Sequence, residues 1–430
     1  MSRILRESAE SIAAQVLGLA LGLGAGVLVA RTLGPTAKGT IALYTMMAAV
    51  LATVGNLGLG AANVHLVGSG RATAERAWAN SWWLSWTSGT GLAVAAFFLS
   101  PLLALALAKP IDMSLLAIAL AGVPLAILLD CQLNLLRGLQ RMRLVNLAAA
   151  ARQALRLLLL MLFILFLKQG TSGALWALNI GLALASLLAF LLLRRQTAVS
   201  LRPSFHLLRE SLGYGIKVQP GQVLQFFNYR LDIFLLALFW NSREVGLYTT
   251  ATFAAELLWY IPNGINLVLF PTVSGTKDSR EAGRLSAPII RHTLLWTAIL
   301  ALGLGIAAEV LVTALYGENF RTAAHALRVL LLGVVAMAPG KLALNHLAGI
   351  GKPQYLTYAA LAGLAATVAL DLALIPRFGM MGAAWASAAA YTLTGAAGIW
   401  WLKRQAGVGL RESLVIRSQD LDLYQRTLGL

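Results

Sequence analysis

Apolar residues in this chain neither alternate nor recur in short amphipathic bursts. They run in twelve long blocks, 9–30, 40–67, 78–100, 111–136, 144–167, 173–193, 211–240, 245–272, 289–315, 324–350, 354–375 and 380–402, with short polar gaps between them. A helix rises about 1.5 Å per residue, so about 20 apolar residues cross a hydrocarbon layer about 30 Å thick. Each block meets that length. The runs are continuously apolar rather than alternating with period two, which rules out barrel strands. The pattern predicts an all-α polytopic membrane protein of twelve transmembrane helices.

Composition agrees. The 430 residues are 59% hydrophobic and 12% charged, with mean hydropathy +0.75, whereas a soluble domain carries about 25% charged residues. The net charge of +17 raises the question of nucleic acid, and the distribution of that charge answers it. With the amino terminus placed in the cytoplasm, 23 of the 34 Lys and Arg residues fall in inner gaps, helix feet and tails, Arg152 and Arg156 among them. Seven fall in outer gaps, including Lys38 and Lys109, and four lie inside spans: Lys217, Arg230, Arg328 and Lys341. This is the positive-inside asymmetry, and it predicts a multi-pass protein of the cytoplasmic (inner) membrane with both termini cytoplasmic. The basic balance reflects topology and contact with anionic lipids, not a nucleic-acid partner.

The longest internal gap, Arg194–Glu210, is basic and contains Pro203. It divides the chain into an amino-terminal six-helix lobe (1–193), a cytoplasmic linker (194–210), a second six-helix lobe (211–402) and a cytoplasmic tail (403–430). Two six-helix lobes with a transport path between them are a recurrent transporter plan. No GxxxxGK[ST] phosphate loop occurs, so transport must draw on a gradient, the membrane potential or the substrate's own concentration difference. The run after Arg3 and Arg6 continues through Ala30, too long for a signal peptide, and reads as a retained first helix. The single cysteine, Cys131, lies in an apolar run and reads as a small core residue.

The seventh block carries the densest chemistry. It holds Lys217, Gln219, Gln222, Gln225, Asn228, Arg230 and Asp232. At 100° per residue, Lys217, Gln225, Asn228 and Asp232 share one face within about 80°. A charged residue near a helix centre costs about 2.5–3.5 kcal/mol on insertion scales, so this stripe is expected to face a cavity rather than lipid. Pro220 is expected to loosen the helix. Arg230 and Asp232, two residues apart, point to different faces and are poor partners for each other. Lys217, Arg230 and Lys341 together give the second lobe a cationic interior, although Lys217 also stands where it could snorkel to headgroups. Of the intramembrane carboxylates Asp130, Glu256 and Asp371, Glu256 is mid-span and is the candidate for a coupling proton or cation, or for the partner of a cavity arginine. Asp130 and Asp371 sit near span ends and read as structural. Trp78, Trp82, Trp83 and Trp86 read as an interfacial belt. Five scattered histidines give no metal site. No nucleophile, base or cofactor motif can be assigned, so the expectation is a protein without cofactor or covalent chemistry.

Five segments in order carry a resemblance. Residues 29–67, VARTLGPTAKGTIALYTMMAAVLATVGNLGLGAANVHLV, contain an LGP turn, a following Gly, and Asn56, Gly58 and Gly60 in an N-x-G-x-G segment. Residues 243–274 begin with VGLY and end with an FP exit, and LYGENFRTAAHALRVLLLG, LAGIGKPQ and LIPRFGMMGAAWASAAA follow. Together they resemble the polysaccharide-biosynthesis and O-antigen-unit flippases of the multidrug/oligosaccharidyl-lipid/polysaccharide exporter superfamily. The resemblance implies a V-shaped, MATE-like pair of six-helix bundles, alternating access, and a substrate of sugars on a polyprenyl diphosphate. It implies a lipid-linked glycan as partner, with a polysaccharide polymerase and other assembly proteins acting alongside. A diphosphate needs cations, and Lys217, Arg230 and Lys341 could supply them. The alternative within the superfamily is a proton- or sodium-coupled multidrug exporter, which usually needs an acidic site in the first lobe. A glycan polymerase or lipid glycosyltransferase would generally carry a sizeable extramembrane loop, and none is present.

Overall fold

The computed structural model describes residues 2–107, 110–276, 278–416 and 420. Lys109, Lys277, Arg417, Arg426 and the end of the predicted tail lie outside the described residues. Fourteen α-helices follow one another among the described residues, with no strand: α1 (Ser2–Gly55), α2 (Leu59–Gly68), α3 (Ala74–Leu107), α4 (Met113–Ala121), α5 (Val123–Gly138), α6 (Met142–Leu160), α7 (Gly170–Leu193), α8 (Phe205–Phe239), α9 (Ser242–Glu256), α10 (Tyr260–Gly275), α11 (Ser279–Tyr316), α12 (Ala323–Gly349), α13 (Gln354–Ala406) and α14 (Leu410–Leu414). A π-helical turn extends α6 over Met161–Phe166, and a 3-10 turn at Leu257–Trp259 joins α9 to α10.

The apolar blocks map onto these helices through breaks that their sequences explain. Eight helical segments among the described residues are long and apolar enough to cross a membrane. One of them, in α13, contains two predicted spans, and another, in α1, contains the first span and most of the second. In α1 the backbone leaves helical angles at Gly34 (φ 77°), directly before Pro35, where a glycine tolerates positive φ and the proline opens the next helical run. In α13 the break is at Gly379 (φ 56°). There the indole N–H of Trp240 donates to the Ile375 carbonyl at 2.7 Å, and the Met380 N–H donates to the Glu244 carboxylate at 3.1 Å. These bonds serve backbone groups left without a helical partner.

The second predicted span is also interrupted, between α1 and α2, where Leu57 (φ 50°) and Gly58 (φ 73°) are left-handed. The Asn56 side chain accepts the Gly60 N–H at 3.1 Å across the break. Gly215 of α8 packs there against the backbone, and a Cβ on it would overlap the Leu57 carbonyl oxygen. Helix α4 begins at Asp112, whose carboxylate accepts the N–H groups of Ser114 (2.9 Å) and Leu115 (3.1 Å) and the Ser114 hydroxyl. Those bonds hold the exposed carboxyl below the usual carboxylate range. Helix α8 begins at Phe205, inside the stretch assigned to the linker, and runs continuously through Pro220.

The chain forms two compact units, residues 1–226 and 227–430, and the division falls within α8. In the first unit, α1 to α7 enclose a core around Ala25, Leu59, Leu116, Ile127, Cys131 and Leu175. Cys131 is fully buried there, as its setting predicts. Trp78 faces inward rather than outward: it is 1% exposed and packs among Leu66, Leu128 and Leu135. In the second unit, α12 packs on α13 through small residues. A Cβ on Gly333 would strike Ala388, and one on Gly340 would overlap Gly395. Such close approach gives helices in lipid the van der Waals contact that holds them together.

Candidate functional site

The polar seventh helix is shared between the units. Lys217 and Gln225 belong to the first unit and are exposed, and Asn228, Arg230 and Asp232 belong to the second. Along the stripe, exposure gives way to burial: Asn228 is half-buried and Asp232 is 3% exposed.

In the second unit, Arg230 and Glu256 meet. The guanidinium donates two hydrogen bonds to the carboxylate, at 2.7 and 3.0 Å, from α8 to the end of α9. Their side chains keep 30% and 19% exposure. Around them Tyr229, Trp259 and Tyr391 form an aromatic cluster, with Trp259 5.1 Å from Tyr229 and 5.3 Å from Tyr391 between ring centres. The Lys341 ammonium lies 4.8 Å from the Trp259 ring centre, in cation–π geometry. Arg230, Glu256 and Lys341 are therefore gathered in one region, whereas Lys217 lies in the other unit.

Asp232 turns away from this group, as the helical spacing predicts. Its carboxylate accepts hydrogen bonds from the Tyr248 hydroxyl, from Ser387 at 3.1 Å and from the Ile233 N–H at 2.8 Å. Asp371 of α13 is fully buried and within electrostatic range of Asp232. Among the described residues, neither Asp371 oxygen nor the Thr367 hydroxyl has a hydrogen-bond partner. Position near a span end made Asp371 look structural, yet it is the carboxylate whose charge is least compensated. Glu256, the mid-span candidate, is matched by Arg230.

The first unit holds chemistry that the sequence reading passed over. A cavity of about 310 Å³ is lined by Lys38, Arg152 and Arg156 together with Thr45, Asn179 and apolar residues, and no carboxylate among the described residues lines it. Sequence position puts Lys38 in an outer gap and the two arginines at inner helix feet. They meet because Lys38 lies one turn beyond the Gly34 bend, while Arg152 and Arg156, one turn apart on α6, share a face. The signal was present: Arg156 lies midway along the predicted 144–167 span, too deep for a helix foot. A second cavity, of about 830 Å³, is lined by Asn56, His65, Asp130, Asn134, Arg137, Tyr214 and Gln222, and Ala49 and Ala126 line both. Among the described residues, no group of three or more His, Cys, Asp and Glu is placed to hold a metal ion.

Comparison with known proteins places this architecture. The fold matches the lipid II flippase MurJ in its inward closed conformation with TM-score 0.79 at 15% identity, over 91% of this chain and 87% of that one. It also matches an inward-facing multidrug resistance MATE family transporter of the MOP superfamily, with TM-score 0.75 at 17% identity, over 93% and 98%. The all-α, MATE-like fold expected from the sequence is the one observed, and its helices are consistent with twelve spans. In sequence, the chain is 29% identical over 170 residues to the probable flippase AglR of Haloferax volcanii, covering 38% of this chain and 35% of that protein. The curated relatives are matched over only 35% to 40% of their own length. A family of polysaccharide biosynthesis proteins matches residues 28–325. With over half its length inside that match, the chain belongs to the polysaccharide biosynthesis protein family.

Proposed function

We propose that this protein moves a polyprenyl-diphosphate-linked oligosaccharide across the cytoplasmic membrane by alternating access, for assembly of cell-surface polysaccharide, leaving the substrate chemically unchanged. One observation carries the reading: Lys38, Arg152 and Arg156 line a common cavity that has no carboxylate among the described residues of its wall. Arg156 lies midway along its predicted span, where a cation costs about 2.5–3.5 kcal/mol. A diphosphate would offset that cost through charge-assisted, partly bidentate hydrogen bonds. A cationic drug would instead be repelled, so the cavity disfavours the multidrug-exporter alternative. Family membership and the likeness to a probable flippase support the same reading.

In this account residues 1–193 and 211–402 work as two lobes joined by a cytoplasmic linker at 194–210. Both termini are cytoplasmic, and a polysaccharide polymerase takes up the product. Lys341, Arg230, Lys217 and the amides of Gln225 and Asn228 serve the same anionic substrate as it passes, while Asp232, buried and bonded to Tyr248 and Ser387, holds the helix in place. Arg230 can do so only by releasing Glu256, which acts as its counter-ion. Coupling is assigned to Asp371 beside Asp232, because an uncompensated buried carboxylate requires a proton or a metal cation. The test is to change Arg156 and Lys38 singly to Gln and measure membrane abundance and surface polysaccharide in the producing cell. The expected outcome is normal abundance with polysaccharide lowered by about tenfold or more, the effect of losing one charged contact. Unchanged polysaccharide in both variants would remove the cavity from the mechanism.

A further inference from the structure

The second cavity of the first unit is built differently from its cationic neighbour. We propose that it is a sugar-binding subsite, which holds the residue attached to the diphosphate and so reads the identity of the glycan. This rests on the flippase reading above. Sugar rings present hydroxyls that both donate and accept, and an apolar C–H face that packs on an aromatic ring. Recognition therefore takes mixed donor and acceptor groups beside an aromatic plate.

That combination is present. The Asp130 carboxylate, exposed in the cavity wall, accepts from the side-chain amides of Asn56 and Asn134, both at 2.9 Å. Asn134 in turn accepts from Arg137 at 2.7 Å. The network fixes Asn134, Asp130 and Arg137 in one orientation, with amide, carboxylate and guanidinium groups close together. A preorganised mixture of donors and acceptors suits a polyol better than a simple anion. The rings of His65 and Tyr214, which also line the cavity, stack with centres 4.7 Å apart and planes within 7°. His65 is exposed and Tyr214 half-buried, so the stacked pair gives the cavity lining an aromatic component with solvent access. Gln222, also exposed, adds another amide to the wall.

Position completes the argument. Ala49 and Ala126 line both cavities, so the cationic and the polar–aromatic pockets adjoin. In the substrate the diphosphate is bonded directly to the first sugar, so two adjoining pockets, one for anion and one for sugar, match its chemistry. The volume of about 830 Å³ has room for more than one sugar.

The experiment uses the full-length protein in lipid nanodiscs with two probes, geranylgeranyl diphosphate and the same lipid diphosphate carrying one N-acetylglucosamine. Affinity for each is measured for the wild type and for Asn134→Ala, Tyr214→Leu, Tyr214→Phe and Arg156→Gln, after each variant is shown to be monodisperse. The wild type is expected to bind the glycosylated probe more tightly than the sugar-free one. Asn134→Ala and Tyr214→Leu should each lose that increment by about fivefold while keeping sugar-free binding. Tyr214→Phe, which keeps the ring, should retain the increment, and Arg156→Gln should weaken both probes. Equal wild-type affinity for the two probes, or an increment unchanged in both Asn134→Ala and Tyr214→Leu, would overturn the subsite and leave the flippase reading standing. Failure of the wild type to bind either probe would overturn both.

Discussion

Breaking the Arg230–Glu256 pair tests whether the second unit is held by the charges it encloses. Two hydrogen bonds of 2.7 and 3.0 Å join the groups, and the side chains are 30% and 19% exposed. A fully buried pair broken on one side costs about 3–5 kcal/mol, because the survivor is left uncompensated. An exposed pair is worth about 0–1 kcal/mol. Partial exposure places this pair between the limits, so Arg230→Gln and Glu256→Gln should each cost about 2 kcal/mol. The double variant leaves neither charge stranded and should cost less than the sum, with a coupling of about 1.5 kcal/mol. The assay is unfolding in a fixed mixed micelle titrated with dodecyl sulfate, followed through tryptophan fluorescence. Single-variant costs that add in the double variant to within about 0.5 kcal/mol would refute the claim that the pair is coupled.

Three further outcomes follow from particular contacts. Gly215→Ala places a Cβ against the Leu57 carbonyl, backbone on backbone, and should lower stability by about 1–3 kcal/mol in the same titration; a neutral result would mean that the approach of α8 to the α1–α2 break is not tight. Asp112→Ala should destabilise α4 by about 0.5–1 kcal/mol, the lower part of the capping range because the site is exposed. The wild-type carboxyl is held low by hydrogen bonds, chiefly from the Ser114 hydroxyl, so its contribution is present above the ordinary carboxylate range and lost as pH falls through the lowered value; a stability–pH curve unaltered by Asp112→Asn would contradict this. Asp371→Asn should leave abundance intact and abolish the dependence of transport on an imposed proton or sodium gradient, and retention of that dependence would remove Asp371 from coupling.

Much of this architecture could be read in the chain because lipid imposes length and burial on every span. The apolar blocks, the bends at Gly34-Pro35 and near Pro376, and the opposed faces of Arg230 and Asp232 all follow from local rules of helix geometry. The site was less legible. Lys38 and Arg156 are more than a hundred positions apart and had been assigned to opposite sides of the membrane, because a charge tally treats each cation as a flank of its own span. Only the packing of α1 against α6 shows that they share a cavity. Asp371 reads as structural because it lies close to a span end, whereas burial and the lack of a partner among the described residues depend on neighbours that linear sequence does not display. Trp78 shows the same dependence: its sequence position does not reveal that its ring packs inward among Leu66, Leu128 and Leu135.

The most direct measurement of the central claim is transport itself. Purified protein is reconstituted into vesicles with a fluorescent polyprenyl-diphosphate oligosaccharide in both leaflets, and the fraction reachable by an added membrane-impermeant quencher is followed with time. The account predicts that wild-type protein makes the inner-leaflet pool accessible far faster than protein-free vesicles do, and that Arg156→Gln reduces this rate by about tenfold or more. Wild-type vesicles that equilibrate no faster than protein-free ones, or an Arg156→Gln rate equal to that of the wild type, would contradict it.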